Sequence, residues 1–400
     1  MDVTKELLTQ PLQVVGKAQG YAWGKVGASS RISSIVRHFD PSQPLAEYWL
    51  GAHPKAPADL LVPQAGPLAL NQVFHGEHRL PFMVKVLSIN PDFGLSIQSH
   101  PDSQWAATLH SRDPLNYPDP FHKPEIGVAL TPVTLLYGFR PHREMSRVFE
   151  LFPELVSVVG ADLCGAIASK SSAHDRGFVR DIFSEILRGE RDAVSRVVES
   201  LESRFAGQHQ VPDEIALVRR LRPRYGASDV GLLALFVMNI VTVPPGFGVF
   251  IGPNIPHAYL DGDLVECMAC SDNVIRAGLT PKFTDVEALL QTLSFDVATR
   301  PALLSAKGGT DGFAFFDIPV DDFYLGMIDE GSGSIRCKAT SSPSLLFVLG
   351  DSAIVRHPGS NSLIELSDGG AVLIPAEVGE YEIERSKAAL FLAGHGQRPR

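Results

Sequence analysis

From residue 11 to about 140 the chain carries short apolar runs broken by Gly, Pro and Asn, a texture that predicts mostly β structure with a few short helices. Between about 144 and 240 the apolar period becomes helical. It is clearest in DAVSRVVESLESRF, where Val194, Val197, Val198, Leu201 and Phe205 fall on one stripe. After Val241 the strand texture returns, and from about 310 onward it repeats in SLLFVLG, AVLIPAE and ALFLAG. The stretch Val230–Gly252 has no charged residue, but Pro244, Pro245 and Gly246 interrupt it. It therefore reads as a buried helix ending near Asn239, a strand through Val243, a Pro-Gly turn and a strand over Phe247–Ile251.

Two segments echo each other. GFGVFIGPNIPHAY, from Gly246, and GGAVLIPAEVGEYEI, from Gly369, both place a β run after glycine and a proline turn after the run. Such segments suit small barrels or jelly rolls, here two related ones. Only the first copy carries a histidine, His257.

The stretch LSIQSHPD, Leu95–Asp102, has a parity of its own. In an extended chain Leu95, Ile97 and Ser99 share one face while Ser96, Gln98 and His100 share the other. A solvated face is the ordinary explanation of the second set.

Composition narrows the function. The 400 residues are 44% hydrophobic and 20% charged, which describes a soluble globular protein large enough for two or three domains. The net charge of -10 argues against nucleic acid or an anionic membrane as partner, although a local basic pocket can still hold a phosphate. The start, MDVTKELLTQPLQ, shows no signal or targeting pattern, so a cytoplasmic location is expected. The four cysteines are too few for a disulfide scaffold. Cys267 and Cys270 form a C-x-x-C without the second pair that a zinc ribbon needs.

Chemistry-bearing residues gather elsewhere. Gln98 and His100 at i, i+2 can present two ligand atoms on one strand face, FHKPE places Glu125 directly after a proline, and His257 opens a polar-rich run. Two imidazoles, a carboxylate and an amide oxygen make a donor set that suits Zn²⁺ and would also accept Fe²⁺, Mn²⁺ or Co²⁺. The lack of thiolate favours a catalytic ion over a structural one. The run from His257 to Lys282 also holds Glu266, Arg276 and Lys282, with Asp272 and Asn273 suited to ordering the loop before Arg276. Taken singly, each has an ordinary reading as a surface strand residue, a salt bridge or a solvated cation.

At that run the chain resembles the type I mannose-6-phosphate isomerases, or phosphomannose isomerases, of the zinc-dependent cupin kind. Residues 257–282 match the signature H-A-Y-x-x-G-x-x-x-E-x-M-A-x-S-D-N-x-x-R-A-G-x-T-P-K at every specified position. YAWG (Tyr21–Gly24), AEYWLGAHP (Ala46–Pro54), LPFMVKVLSI and LSIQSHPD resemble further family motifs. YPDPFHKPE, Tyr117–Glu125, is similar to Y-x-D-x-N-H-K-P-E but has Phe121 where the family pattern has Asn. That departure bears on substrate contacts or loop shape.

The resemblance implies one Zn²⁺ per chain held by Gln98, His100, Glu125 and His257, and an active-site arginine at Arg276. It implies a mainly β fold of two cupin-like jelly-roll barrels, the first interrupted by an α-helical insertion. The corresponding division is residues 1–143 with 241–309 as the metal-binding catalytic barrel, 144–240 as the helical domain, and 310–400 as a C-terminal, metal-free cupin-like barrel. The implied reaction interconverts D-mannose 6-phosphate and D-fructose 6-phosphate through an enediol, supplying mannose for GDP-mannose synthesis or feeding it into glycolysis. Glu266, Lys282 and a water on the metal are left open as the base. Lys85, Ser96, Lys123 and Tyr259 are substrate-binding candidates. The expected partner is a sugar phosphate, with no nucleic acid, no membrane and a monomeric chain. An iron-dependent dioxygenase and a non-catalytic sugar-phosphate binder are the alternatives.

Overall fold

The computed structural model describes residues 8–62, 66–167, 176–297, 300–309, 311–360 and 362–396. It is mainly β, with most helix in one stretch of chain. The opening residues 1–7, on which the location expectation partly rests, lie outside the described residues.

The sheet that carries the site is ten-stranded and antiparallel where its strands pair. Six of its strands matter below: β1 (Glu47–Gly51), β2 (Phe82–Ile89), β3 (Ile97–Ser99), β4 (Glu125–Ala129), β5 (His257–Ala269) and β6 (Ile275–Gly278). β5 is the hub. Its first half pairs with Val133–Phe139 and β3, and its second half with β2 and β4. The halves meet at Gly262, whose φ of 100° suits glycine, and a Cβ there would meet the Pro132 carbonyl oxygen at 2.7 Å. Among the described residues the pairing closes no ring of strands.

The second sheet has nine strands and joins distant parts of the chain. The long strands Tyr324–Lys338, Ser344–His357 and Glu380–Gly394 continue through Ala371–Ile374 into Leu12–Val15, Asp59–Val62 and Gly66–Ala69. One apolar core packs between the sheets and takes Leu12, Val84, Ile126, Val265, Phe347 and Phe391 from both ends of the sequence. Strands from the first 70 residues thus complete the C-terminal sheet. The echo survives as geometry, since Gly248–Ile251 and Ala371–Ile374 are each followed by a proline turn and a long strand.

Between Val133–Phe139 and Met238–Val243 the described chain is helical from His142–Leu151 through Gly231–Ala234. In Arg191–Phe205 the stripe Val194, Val197, Val198, Leu201 and Phe205 is buried, as its spacing predicts. The helical core also takes Ile97 from β3 and Ile275 from β6, so it braces the strands of the site. The helix expected to run to Asn239 ends at Ala234 instead. Met238 already pairs with Phe139, and the Asn239 side-chain amide donates to the carbonyls of Tyr137 and Phe139, so pairing with a distant strand overrides local helical character. Among the described residues no helix is long and apolar enough to cross a membrane.

Candidate metal centre

Cross-strand register builds the site. Gln98 on β3 is the partner of His257 on one side and of Arg276 on the other, so the three stand in one row across β5, β3 and β6. A second row runs from Gly127 to Glu266, Lys85 and Trp49 across β4, β5, β2 and β1. Glu125, two residues before Gly127, shares that face. Residues widely separated in sequence thereby converge because adjacent strands put partners about 5 Å apart.

His100, Glu125 and His257 are buried, with exposures of 0–1%, and their ligand atoms lie within 4.8 Å of one another. His100 Nε2 is 3.3 Å from Glu125 Oε2 and His257 Nε2 is 3.4 Å from Glu125 Oε1. Outer contacts orient both rings: His100 Nδ1 lies 2.7 Å from the Asn273 carbonyl and His257 Nδ1 lies 2.9 Å from the Ile255 carbonyl. Each carbonyl accepts the Nδ1 proton, so each Nε2 turns a lone pair toward the carboxylate. Burial, then the charge of Lys123, pushes the His100 imidazole down to about 4, which keeps it neutral near pH 7.

Four buried acceptor atoms, two Nε2 and both Glu125 oxygens, thus face one another with no hydrogen-bond partner. Such an arrangement is costly unless a cation lies between them. Ligands about 2.0–2.1 Å from a tetrahedral zinc lie about 3.4 Å apart, which the two His–Glu separations match. The residues therefore fit Zn²⁺. Gln98, in register with His257, is the candidate fourth donor, and the Ser96 hydroxyl donates to its Oε1 at 3.2 Å.

A cavity of about 350 Å³ opens beside this cluster, and Gln98, Lys123 and Glu266 belong to its wall. Its lining cations are Lys55, Lys85, Lys123, Arg224, Arg276 and Lys282, against the carboxylates Glu47, Glu266 and Asp272, a surplus of three positive charges (six minus three) in a chain of net charge -10. Lys85 lies 3.2 Å from Glu266 and 3.9 Å from Glu47, and the field of the two carboxylates outweighs burial to hold it protonated. Asp272 takes Lys55 at 3.0 Å and faces His53 Nε2 at 3.4 Å. Arg276 and Lys282 have no carboxylate at ion-pair distance among the described residues. Lys282 is pushed down first by burial and then by the charge of Arg276. Burial, reinforced by Glu125, raises the Glu266 carboxyl above its ordinary range, with Lys85 and Lys123 opposing.

Lys85, Ser96 and Lys123 line the cavity, whereas Tyr259 lies behind the wall, 2% exposed, with its hydroxyl packed where a Cβ on Gly127 would sit. Glu47, Trp49, His53 and Lys55 were not singled out from sequence, although they sit in or beside the quoted stretch AEYWLGAHP. Arg224 and Tyr225 come from the end of helix Asp213–Tyr225, where nothing local points to a site.

A loop clamp holds the cluster from outside. Asp119 accepts from the Ser271 hydroxyl at 2.8 Å, the Asp272 N–H at 2.8 Å and the Asn273 side-chain amide at 3.2 Å. The Phe121 carbonyl accepts from Ser271 at 3.0 Å and from Asn273 at 2.9 Å. The Phe121 ring lies 3.7 Å under the Arg79 guanidinium. Cys267 is buried in the inter-sheet core and joins no metal cluster among the described residues.

Comparison with known proteins agrees with this geometry. A family model of the phosphomannose isomerase type I catalytic domain matches residues 12–142. Mannose-6-phosphate isomerase from Homo sapiens is 34% identical over 394 residues, covering 90% of this chain and 92% of that protein. The Rattus norvegicus enzyme is 35% identical over 401 residues, covering 92% and 93%. A zinc-bound crystal structure of mannose 6-phosphate isomerase superposes with a TM-score of 0.82 at 25% identity, covering 97% of this chain and all of the other (100%). A point mutant of phosphomannose isomerase from Salmonella typhimurium gives 0.83 at 26% identity with the same coverage.

Proposed function

The chain belongs to the type I phosphomannose isomerase family, and from that premise we propose that it interconverts D-mannose 6-phosphate and D-fructose 6-phosphate through an enediol. One observation carries the reading: four unsatisfied, mutually facing ligand atoms border a cavity with a surplus of cations. His100, Glu125, His257 and Gln98 would hold the zinc, which supplies Lewis-acid polarisation of the sugar oxygens when bound.

The remaining roles belong to the chain. Aldose–ketose exchange moves a proton between C2 and C1, which needs a group able to accept and return it near neutral pH. Glu266 suits that task because its raised carboxyl is a stronger base than a solvated glutamate, and Lys85 keeps it within reach of ionisation. Arg276, in the row with Gln98, supplies fixed positive charge where the enediolate gathers negative charge. Lys282, beside Arg276 and free of carboxylate partners, is suited to the phosphate, with Ser96 and Lys123 as further donors on the wall.

The reading extends to the division of the chain: a cupin-like catalytic jelly roll interrupted by the helical stretch, then a second, metal-free jelly roll. It also extends to a monomer in a reducing, cytoplasmic compartment that supplies mannose for activated sugars. The free state of all four cysteines supports the compartment. The test is a coupled assay of mannose 6-phosphate conversion joined to metal analysis of the purified protein. One zinc per chain with activity lost on chelation and restored by Zn²⁺ is expected, and full turnover by verified metal-free protein would overturn the metal's role.

A further inference from the structure

The turn that carries Lys282 is held by the helical stretch rather than by its own sheet. After β6 ends at Gly278, Leu279 adopts φ 53°, the left-handed region that a leucine avoids because its Cβ crowds the following carbonyl. Two things hold it there. Its side chain is buried, 1% exposed, in the helical core, and its N–H donates to Asp229 Oδ1 at 2.9 Å. The same oxygen accepts from Gly231 N at 2.8 Å. The backbones touch at this point, since a Cβ on Gly278 would meet Gly231 N and Cα at 2.6 Å. Thr280 passes the constraint on, its hydroxyl accepting from Lys282 N at 3.0 Å. Lys282 Nζ then projects 5.9 Å from the centroid of the Tyr21 ring, and both residues line the cavity.

We propose that Asp229 is a positioning residue for Lys282, so that the last loop of the helical stretch sets the anion-binding wall of the cavity. This rests on the isomerase reading for the identity of the anion, a sugar phosphate. Asp229 touches no substrate on this account. It fixes a strained turn whose relaxed alternative would swing Thr280 and Lys282 off the wall, and strain of this kind persists only where surrounding contacts over-determine it.

The test measures mannose 6-phosphate kinetics together with binding of inorganic phosphate by calorimetry, which needs no turnover. For Asp229→Ala the KM and the phosphate dissociation constant should rise together by about tenfold, as for one weakened charge-assisted contact, with kcat within about twofold and zinc content unchanged. Asp229→Asn keeps the Oδ1 acceptor and should hold both constants near the native values. In a Lys282→Ala background, Asp229→Ala should add no further loss. If the alanine variant does not fold, Asp229→Glu, which moves the acceptor by one methylene, should shift both constants in the same direction. Unchanged constants in a folded Ala or Glu variant, or an undiminished loss on top of Lys282→Ala, would overturn the assignment. A native protein that binds phosphate but does not isomerise mannose 6-phosphate would instead refute the isomerase reading and leave the Asp229 effect on phosphate binding still measurable.

Discussion

Replacing Asp119 by alanine should weaken zinc binding, although Asp119 touches neither the ligand atoms nor the cavity. The path is short. Asp119 holds Ser271, Asp272 and Asn273, and the Asn273 carbonyl lies 2.7 Å from His100 Nδ1, fixing the ring that offers Nε2 to the ion. The variant does not free the loop entirely. Asn273 keeps its side-chain bonds to the carbonyls of Asp119, at 2.5 Å, and Phe121, at 2.9 Å, and Ser271 keeps Phe121 at 3.0 Å. The Asp272 and Phe121 N–H groups lose their acceptor outright.

A hydrogen bond to a charged acceptor contributes about 1.5–3 kcal/mol, and two of the four lost here have a surviving substitute, so a total of about 3–6 kcal/mol is the scale of the local loosening. Loss of an outer contact to a metal histidine typically weakens affinity by about 10–100-fold, or ~1.4–2.7 kcal/mol, which fits within that total. The assay is competition with a chromogenic chelator at fixed pH, run beside thermal melts of the metal-free protein. The expected result is zinc affinity lowered by at least about tenfold, with Asp119→Asn intermediate. A lowered melting temperature with unaltered zinc affinity would refute the reasoning, because Asp119 would then stabilise the loop without orienting His100.

Gln98→Glu adds a second carboxylate charge to the ion's surroundings, so zinc affinity should hold or tighten while kcat falls by about tenfold, ~1.4 kcal/mol of barrier; an unaltered kcat would reject the neutral donor's role. Arg276→Ala should lower kcat by roughly 10²–10³ with zinc retained, measured by steady-state kinetics and metal analysis, and an unchanged kcat would remove it from the chemistry. For Lys85→Met, the pH profile of kcat/KM is the measurement. Glu266 works as a base only when ionised, so activity falls as pH drops through its raised pKa; Lys85 holds that pKa down, and its loss should move the acid limb to higher pH. A limb that stays in place would show that Glu266 is not the titrating base.

What could be read from sequence was what depends on a residue's own chemistry and on local period. The helical stripe from Val194 to Phe205 buried as expected because five apolar side chains on one face have few other places to go. His100 was marked by its parity with Gln98, and Glu125 and His257 by being among the few residue types that bind metal, and the three do come together. Pairing between distant segments was not legible. Nothing in Leu12–Val15 announces that it will lie beside Ala371–Ile374, and nothing local in MNIVTV tells a strand from the end of a helix. Asp229 escaped for a related reason: it acts through backbone N–H groups that any residue at the far position would supply, so its partners leave no mark in composition. Asp119 stands in the motif YPDPFHKPE, but its partners Ser271, Asp272 and Asn273 are distant in sequence and only the fold brings them together.

Phe121 shows the same principle from the other side. At that position the chain departs from the family pattern, and substrate contacts or loop shape were the expected casualties. The loop's grip on Ser271 and Asn273 runs through the Phe121 carbonyl, which is indifferent to the side chain behind it. The Phe121 N–H is likewise held by Asp119 at 3.1 Å. The ring turns outward, 38% exposed, beneath Arg79 and does not line the cavity. An asparagine there could add a side-chain bond, but what position 121 contributes to the orientation of His100 passes through backbone atoms that every amino acid carries. The substitution is therefore compatible with an intact metal centre, and the cation–π contact, of about 0.5–1 kcal/mol at an exposed site, offsets part of whatever polar contact was given up.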